Sequence, residues 1–318
     1  MKRIHYCYFL LGFMIFSCTS AKKNANPMLL QGEGFVEVKG GKIWYGIMGE
    51  GDNVPLLCLH GGPGGTSKIY YKLSEIAKER PVIMFDQLGT GRSGYHQDTT
   101  LLKPELFVEQ VKAIKDELNL NEFFLVGSSW GAALALEYYT TYPEGIKGIV
   151  FNSPYFSTSI WTDDAAKLVA QLPDSIQSAI HLAERDSVFD TESYIAANSY
   201  FASKHGKRKV PVKHPYDTVP SNRNNFIYNY MWGPSEFTAT GTLRNFDNHQ
   251  SLKKITVPTL MTTGEYDEAR PETVMNFAEM VPNAKFVLIP ESGHSTLNDN
   301  GPAVLAAIQQ FIKTIEKK

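Results

Sequence analysis

Three cysteines in 318 residues are too few to staple a fold. Cys7 and Cys18 lie close to the N-terminus, so Cys58 is left alone once that segment is processed, and no intramolecular disulfide is available to the mature domain. Cys58 falls inside Leu56-Leu57-Cys58-Leu59, where a small buried hydrophobe suits its surroundings. An excess of either charge is also missing. The 31 Lys and Arg residues against 33 Asp and Glu give a net charge of −2, which excludes the concentrated basic surface that nucleic acid requires. The one basic cluster, Lys204, Lys207, Arg208, Lys209 and Lys213, reads as a solvated loop. No group of side chains has metal-ligand spacing, so neither a metal nor an organic cofactor is implied. Internal repeats and low-complexity tracts are absent as well. What is abundant is apolar and aromatic: 43% of residues are hydrophobic, with 18 Phe, 16 Tyr and 4 Trp, enough for a large core and contrary to disorder.

The N-terminus reads as a processing signal, with Lys2 and Arg3 ahead of an almost wholly apolar stretch over residues 6–16. That stretch is short of the roughly 20 residues a membrane-spanning helix needs. It ends Ile15-Phe16-Ser17-Cys18, which resembles the lipobox of bacterial lipoproteins, and that resemblance makes Cys18 the acylated first residue of the mature chain. Phe16 is bulkier than the pattern usually carries, and an ordinary secretory signal cut near Ser17 or Ser20 is the alternative. Either version implies export. The lipid-anchored version implies a bacterial cell-envelope protein facing the periplasm.

Beyond a signal peptide over 1–17 and a tether over 18–33, the chain divides into a first core segment (34–154), a cap (155–250) and a second core segment (251–318). Apolar strand-length runs at 35–38 and 42–45 flank Gly40-Gly41, a dipeptide suited to a tight antiparallel hairpin. Runs at 56–59, 82–85, 123–126 and 149–151 then alternate with helical segments. In one of these, Phe107, Val111, Ile114 and Leu118 line a single face. This alternation predicts an α/β fold with a mostly parallel sheet covered on both sides. The rhythm turns helical and irregular through the cap, and strand runs resume at 259–262 and 286–289.

Gly127-Ser128-Ser129-Trp130-Gly131 directly follows an apolar strand and precedes the helix-forming run from Ala132 to Glu137. In that context G-x-S-x-G places Ser129 on a strained strand-to-helix turn, at a helix N-terminus that favours developing negative charge. Ser128 is the neighbouring competitor, but only Ser129 has glycines at both −2 and +2. A serine hydroxyl needs a base, and the base needs an acceptor that fixes its tautomer. His294 and Asp267 supply these in the order Ser…Asp…His, each just past the C-terminal end of a strand. Asp86, at an earlier strand end, is the alternative acid. His60-Gly61-Gly62-Pro63-Gly64-Gly65 follows the 56–59 strand as an oxyanion-hole loop should, which makes the N–H groups of Gly62 and Trp130 the two donors. The rival reading, a phosphate loop, lacks the Lys-Ser/Thr ending.

The His60 to Gly64 loop, Asp86-Gln87-Leu88-Gly89-Thr90-Gly91-Arg92-Ser93 and the serine motif together resemble the proline iminopeptidase family of α/β-hydrolases. Tyr228-Asn229-Tyr230-Met231-Trp232-Gly233-Pro234-Ser235-Glu236-Phe237 and Gly264-Glu265-Tyr266-Asp267-Glu268 are similar to the branch containing the tricorn-interacting aminopeptidase. The resemblance implies an α/β-hydrolase fold with an inserted, mainly helical cap. It also implies that Glu236 and Glu268 hold the free α-amino group of a short peptide, with Tyr228 as a further contact. Ala132 departs from relatives that carry a second glycine after the elbow. The function implied is a serine aminopeptidase releasing an N-terminal residue, proline among those accepted, through an acyl-enzyme. An esterase or small-amide or lactone hydrolase using the same triad is the alternative, and a non-catalytic binding protein on the same fold is a third reading.

Overall fold

In the computed structural model the described residues are 26–94, 97–210, 215–219 and 222–317. The proposed signal peptide, Cys18, the first part of the tether and Lys213 lie outside them. Strands β1 (Gly32–Val38) and β2 (Gly41–Met48) form the hairpin expected around Gly40-Gly41, and both glycines adopt positive φ. There follow β3 (Leu56–Leu59), β4 (Val82–Phe85), α1 (Pro104–Glu117), β5 (Phe123–Ser128), α2 (Trp130–Thr141) and β6 (Ile146–Asn152). The insertion carries α3 (Thr158–Val169), α4 (Asp174–Asp186), α5 (Glu192–Phe201) and α6 (Asn225–Met231), joined by short 3-10 and π turns. The chain then returns with β7 (Thr259–Gly264), α7 (Pro271–Glu279), β8 (Ala284–Ile289), the single turn α8 (Thr296–Asp299) and α9 (Gly301–Glu316).

The eight strands form one sheet in the order β1-β2-β4-β3-β5-β6-β7-β8. β2 runs antiparallel to both its neighbours, and every other pairing is parallel. All residues of β3, β4 and β7 are buried, because helices cover both faces of the sheet centre and leave no solvated side to favour alternation. One core layer packs α1, α2 and α7 against the sheet, and the other packs α9 against the opposite face. The insertion has a smaller apolar cluster of its own around Ala197, Tyr194 and Phe201.

After β3 the chain crosses outward to β4 and then returns to place β5 on the other side of β3. This reversal opens a crevice at the carboxyl ends of β3 and β5, the usual ligand position in an open parallel sheet. The His60 to Gly65 loop and Ser129 both emerge there.

Candidate active site

Ser129 sits between β5 and α2 with φ 55° and ψ −123°, a backbone conformation L-residues rarely hold. Such strain costs roughly 1–3 kcal/mol and persists only where the surroundings enforce it. Here the glycines are the enforcement. A Cβ on Gly131 would stand 2.0 Å from the Leu59 carbonyl oxygen, and one on Gly127 would stand 2.3 Å from that of Gly131. The Ser129 N–H donates to the Asn152 carbonyl at 3.1 Å, which ties the turn to the end of β6. Trp130 opens α2, where the first N–H groups of a helix have no intrahelical acceptor. Gly61 passes so close to Ser129 that an added Cβ would meet the serine Cβ at 2.9 Å. Gly62 has φ 127° and no room for a side chain against the Gly64 and Gly65 nitrogens.

The structure brings His294 and Asp267 together, with His294 Nδ1 and Asp267 Oδ1 2.7 Å apart. The carboxylate is buried and fully engaged. Oδ2 accepts from Ser153 Oγ at 2.6 Å, Thr263 Oγ1 at 3.0 Å and the Gly264 N–H at 3.0 Å, while Oδ1 also accepts from the Ala269 N–H at 2.8 Å. Burial opposes ionisation of Asp267, but the charge of His294 and the bonds from His294, Ser153 and Gly264 outweigh it and hold the pKa below its ordinary value. At His294 burial favours the neutral ring, yet the charges of Asp267 and Glu268, the Asp267 hydrogen bond and Glu236 together push the imidazole up.

Ser129, His294, Gly62, Tyr228 and Glu236 line one cavity of about 540 Å³. The Tyr228 hydroxyl donates to Glu236 Oε1 at 2.6 Å, and Trp161 Nε1 donates to the Glu236 carbonyl at 2.8 Å. Glu268 stands apart from these. It is buried, does not line the cavity, and borders a small hollow beside Trp161, Tyr155 and Phe277. Its Oε1 is 3.8 Å from His294 Nδ1, and its Oε2 has no hydrogen-bond partner among the described residues. Burial first, then the charge of Glu236, raises its pKa well above the usual carboxylate range.

The alternative acid, Asp86, has a different occupation. Its Oδ1 accepts from the N–H and hydroxyl of Ser67, and its Oδ2 from the Arg92 N–H, so it folds the turn that contains Gly91. His60 donates from Nδ1 to the Gly61 carbonyl and accepts at Nε2 from the Gln87 N–H, a network that assigns a neutral ring, in keeping with the lowering of its pKa by burial. The basic segment is more than a solvated loop. The carbonyls of His205 and Gly206 accept from the N–H groups of His294 and Ser295, and the Arg208 and Lys209 N–H groups bind Asp299.

Two residues at this site went unnoticed in the sequence. Gln87 donates to the His60 carbonyl at 2.8 Å and accepts from the Trp130 indole at 3.1 Å, thereby joining the glycine loop to the serine elbow. Ser153, with φ 47° at the end of β6, contributes the shortest of the hydrogen bonds to Asp267. Its one legible signal was its place just past a strand's carboxyl end.

Residues 54–300 match the α/β hydrolase fold family. A proline iminopeptidase of Heyndrickxia coagulans is 39% identical over 285 residues, covering 89% of this chain and 99% of that protein. The chain belongs to the proline iminopeptidase family of α/β-hydrolases. Among further members, the proline iminopeptidase of Lactiplantibacillus plantarum is 32% identical over 86% of this chain and 97% of its own length. The crystal structure of the Mycobacterium smegmatis proline iminopeptidase superposes with a TM-score of 0.79 at 27% identity, covering 89% of this chain and 98% of that one. That of VinJ gives 0.82, also at 27% identity, over 89% and 99%. Membership of this family makes the chain a serine hydrolase of aminopeptidase-like type.

Proposed function

We propose that the enzyme removes the N-terminal residue, proline among those accepted, from short peptides through an acyl-enzyme. Ser129 Oγ attacks the first carbonyl carbon as His294 Nε2 takes its proton, and Asp267 holds the imidazole by Nδ1–H. The Gly62 and Trp130 N–H groups receive the oxyanion; losing one such donor typically costs about 10²–10³ in rate. His294 returns the proton to the departing amine, the C–N bond breaks, and the N-terminal residue stays esterified to Ser129. Water, deprotonated by the same imidazole, then releases it as a free acid.

The observation that carries the peptidase reading is Glu236, braced by the Tyr228 hydroxyl, in the cavity that holds Ser129 and His294. A carboxylate at fixed distance from a nucleophile rewards a terminal ammonium. Glu268 is the second carboxylate of the set: it does not line the cavity but lies buried beside it, 3.8 Å from His294 Nδ1, where its charge adds to the attraction for an ammonium held at Glu236. A charge-assisted bond is worth roughly 1.5–3 kcal/mol, enough to favour free over blocked N-termini by one to a few orders of magnitude.

The test compares a prolyl amide, its N-acetylated twin and a simple acyl ester on the wild type, Ser129→Ala, Glu236→Ala and Glu268→Ala. Activity on all three is expected to vanish in Ser129→Ala, while the glutamate variants lose discrimination between free and acetylated amides. Equal turnover of free and acetylated amides by the wild type would leave the esterase reading in its place. Export and acylation at Cys18 belong to the same proposal, and membrane association that survives Cys18→Ser would count against the anchor.

A further inference from the structure

Among the described residues that line the cavity holding Ser129 and His294, four side chains are cationic, Lys68, Lys72, Lys207 and Arg223, and one is a carboxylate, Glu236. For a site that reads only a terminal ammonium, that balance has the wrong sign, since each cation repels the group Glu236 would hold. A substrate charged at both ends removes the conflict.

The four cations are not equivalent. Lys68 Nζ donates to the Val219 carbonyl at 2.8 Å, which fixes it to the cap. The Arg223 guanidinium lies over the Tyr228 ring, 5.5 Å from its centroid, at the Glu236 end. Lys72 and Lys207 have no carboxylate partner among the described residues. Lys72 is on the 3-10 turn Ser67–Leu73 just after the glycine loop. Lys207 follows Gly206, whose carbonyl accepts from the Ser295 N–H at 2.8 Å, so it is moored beside His294. His294 is the group that protonates the departing amine, so Lys207 stands on the leaving-group side, and the turn that carries Lys72 packs against α8 just past His294 and lines the same cavity.

We propose that Lys72 and Lys207 receive the C-terminal carboxylate of a di- or tripeptide whose N-terminal ammonium is held at Glu236, so that the enzyme reads both ends of a short zwitterionic peptide. This rests on the aminopeptidase reading and sharpens its substrate class. A cavity of about 540 Å³ is of a size to enclose such a molecule. A longer peptide carries its carboxylate out past the rim and gains nothing from the lysines.

The measurement is the ratio of kcat/KM for Pro-Ala to that for Pro-Ala-amide, taken at low and high salt. The enzymes are the wild type, the double variant Lys72→Gln/Lys207→Gln and the charge-conserving double variant Lys72→Arg/Lys207→Arg. The free acid should be favoured by roughly tenfold at low salt, as one charge-assisted contact allows. That preference should shrink as salt screens an exposed pair, fall toward one in the glutamine variant and persist in the arginine variant. A wild-type ratio at or below one, or a preference that survives in the glutamine variant, overturns the assignment. If the double variant folds poorly, the single variants Lys72→Gln and Lys207→Gln carry the test, each expected to lose part of the preference, and full preference in both overturns the assignment. If both peptides are cleaved equally, only the carboxylate assignment fails; if neither is cleaved while an acyl ester is, the aminopeptidase reading fails with it.

Discussion

Glu268 Oε1 lies 3.8 Å from His294 Nδ1, the nitrogen that Asp267 already holds at 2.7 Å. At that distance Glu268 acts on the imidazole only through its charge, at pH values where it is ionised. A base works only when unprotonated, and each neighbouring carboxylate charge keeps the proton on. His294 is pushed up to about 10, against burial, by Asp267, Glu268 and Glu236. The acid limb of kcat/KM for a simple ester, which reports the free enzyme, should accordingly lie above the ordinary histidine value of about 6.5. Glu268→Gln removes one of those charges and should move the limb to lower pH. An unchanged limb would mean that Glu268 is neutral across the whole range.

Asp267→Asn should be far more damaging than the loss of one charge suggests. The carboxylate accepts five hydrogen bonds, and an amide group there turns one acceptor into a donor facing other donors. We expect kcat to fall by about 10²–10⁴ with little change in KM, because orientation and tautomer of the base are lost while the cavity is retained. A loss under tenfold in steady-state kinetics would contradict the role assigned to Asp267.

Gln87→Ala cuts the link between the glycine loop and the elbow without touching the cavity. It leaves the His60 carbonyl and the Trp130 indole N–H without their buried partner, at about 1–3 kcal/mol for each group left unsatisfied. The expected result is a lower melting temperature together with a drop in kcat of about tenfold, since small displacements of oxyanion donors are costly. A drop in melting temperature with kcat intact would make Gln87 purely structural.

Gly131→Ala should not yield stable protein. The added carbon meets the Leu59 carbonyl oxygen at 2.0 Å and the His60 carbonyl oxygen at 2.8 Å, both of them backbone atoms that cannot rotate aside. Destabilisation of more than about 4 kcal/mol is expected, in the range reserved for overpacking and strain. Chemical denaturation, or simply soluble yield, would check it.

The runs at 56–59 and 82–85 were legible to the residue because a strand buried on both faces is written as an unbroken apolar word. The serine elbow was legible because its glycines are required by sterics local to the turn. Glu268 could be placed beside Asp267, but not on which side of the turn it would fall, and in the fold it borders the small hollow near Trp161 and does not line the cavity. Gln87 lies within the Asp86 to Ser93 motif, but a buried amide takes its meaning from two partners that are distant in sequence. The basic segment has the exposed side chains its composition suggests, but its further role is hidden for the same reason. Its side chains look solvated, while its carbonyls brace the loop that carries His294.

The two ends of the insertion run side by side. Ser157 pairs with Asp247 as an isolated antiparallel bridge, the Thr158 N–H donates to the Phe246 carbonyl at 2.9 Å, and the Asn248 N–H donates to the Phe156 carbonyl at 2.8 Å. To the sheet beneath, the whole excursion from β6 to β7 is therefore no wider than a hairpin neck. A neck of that kind lets a lineage rewrite everything above it, and with it the choice of substrate, while the hydrolytic engine keeps its dimensions.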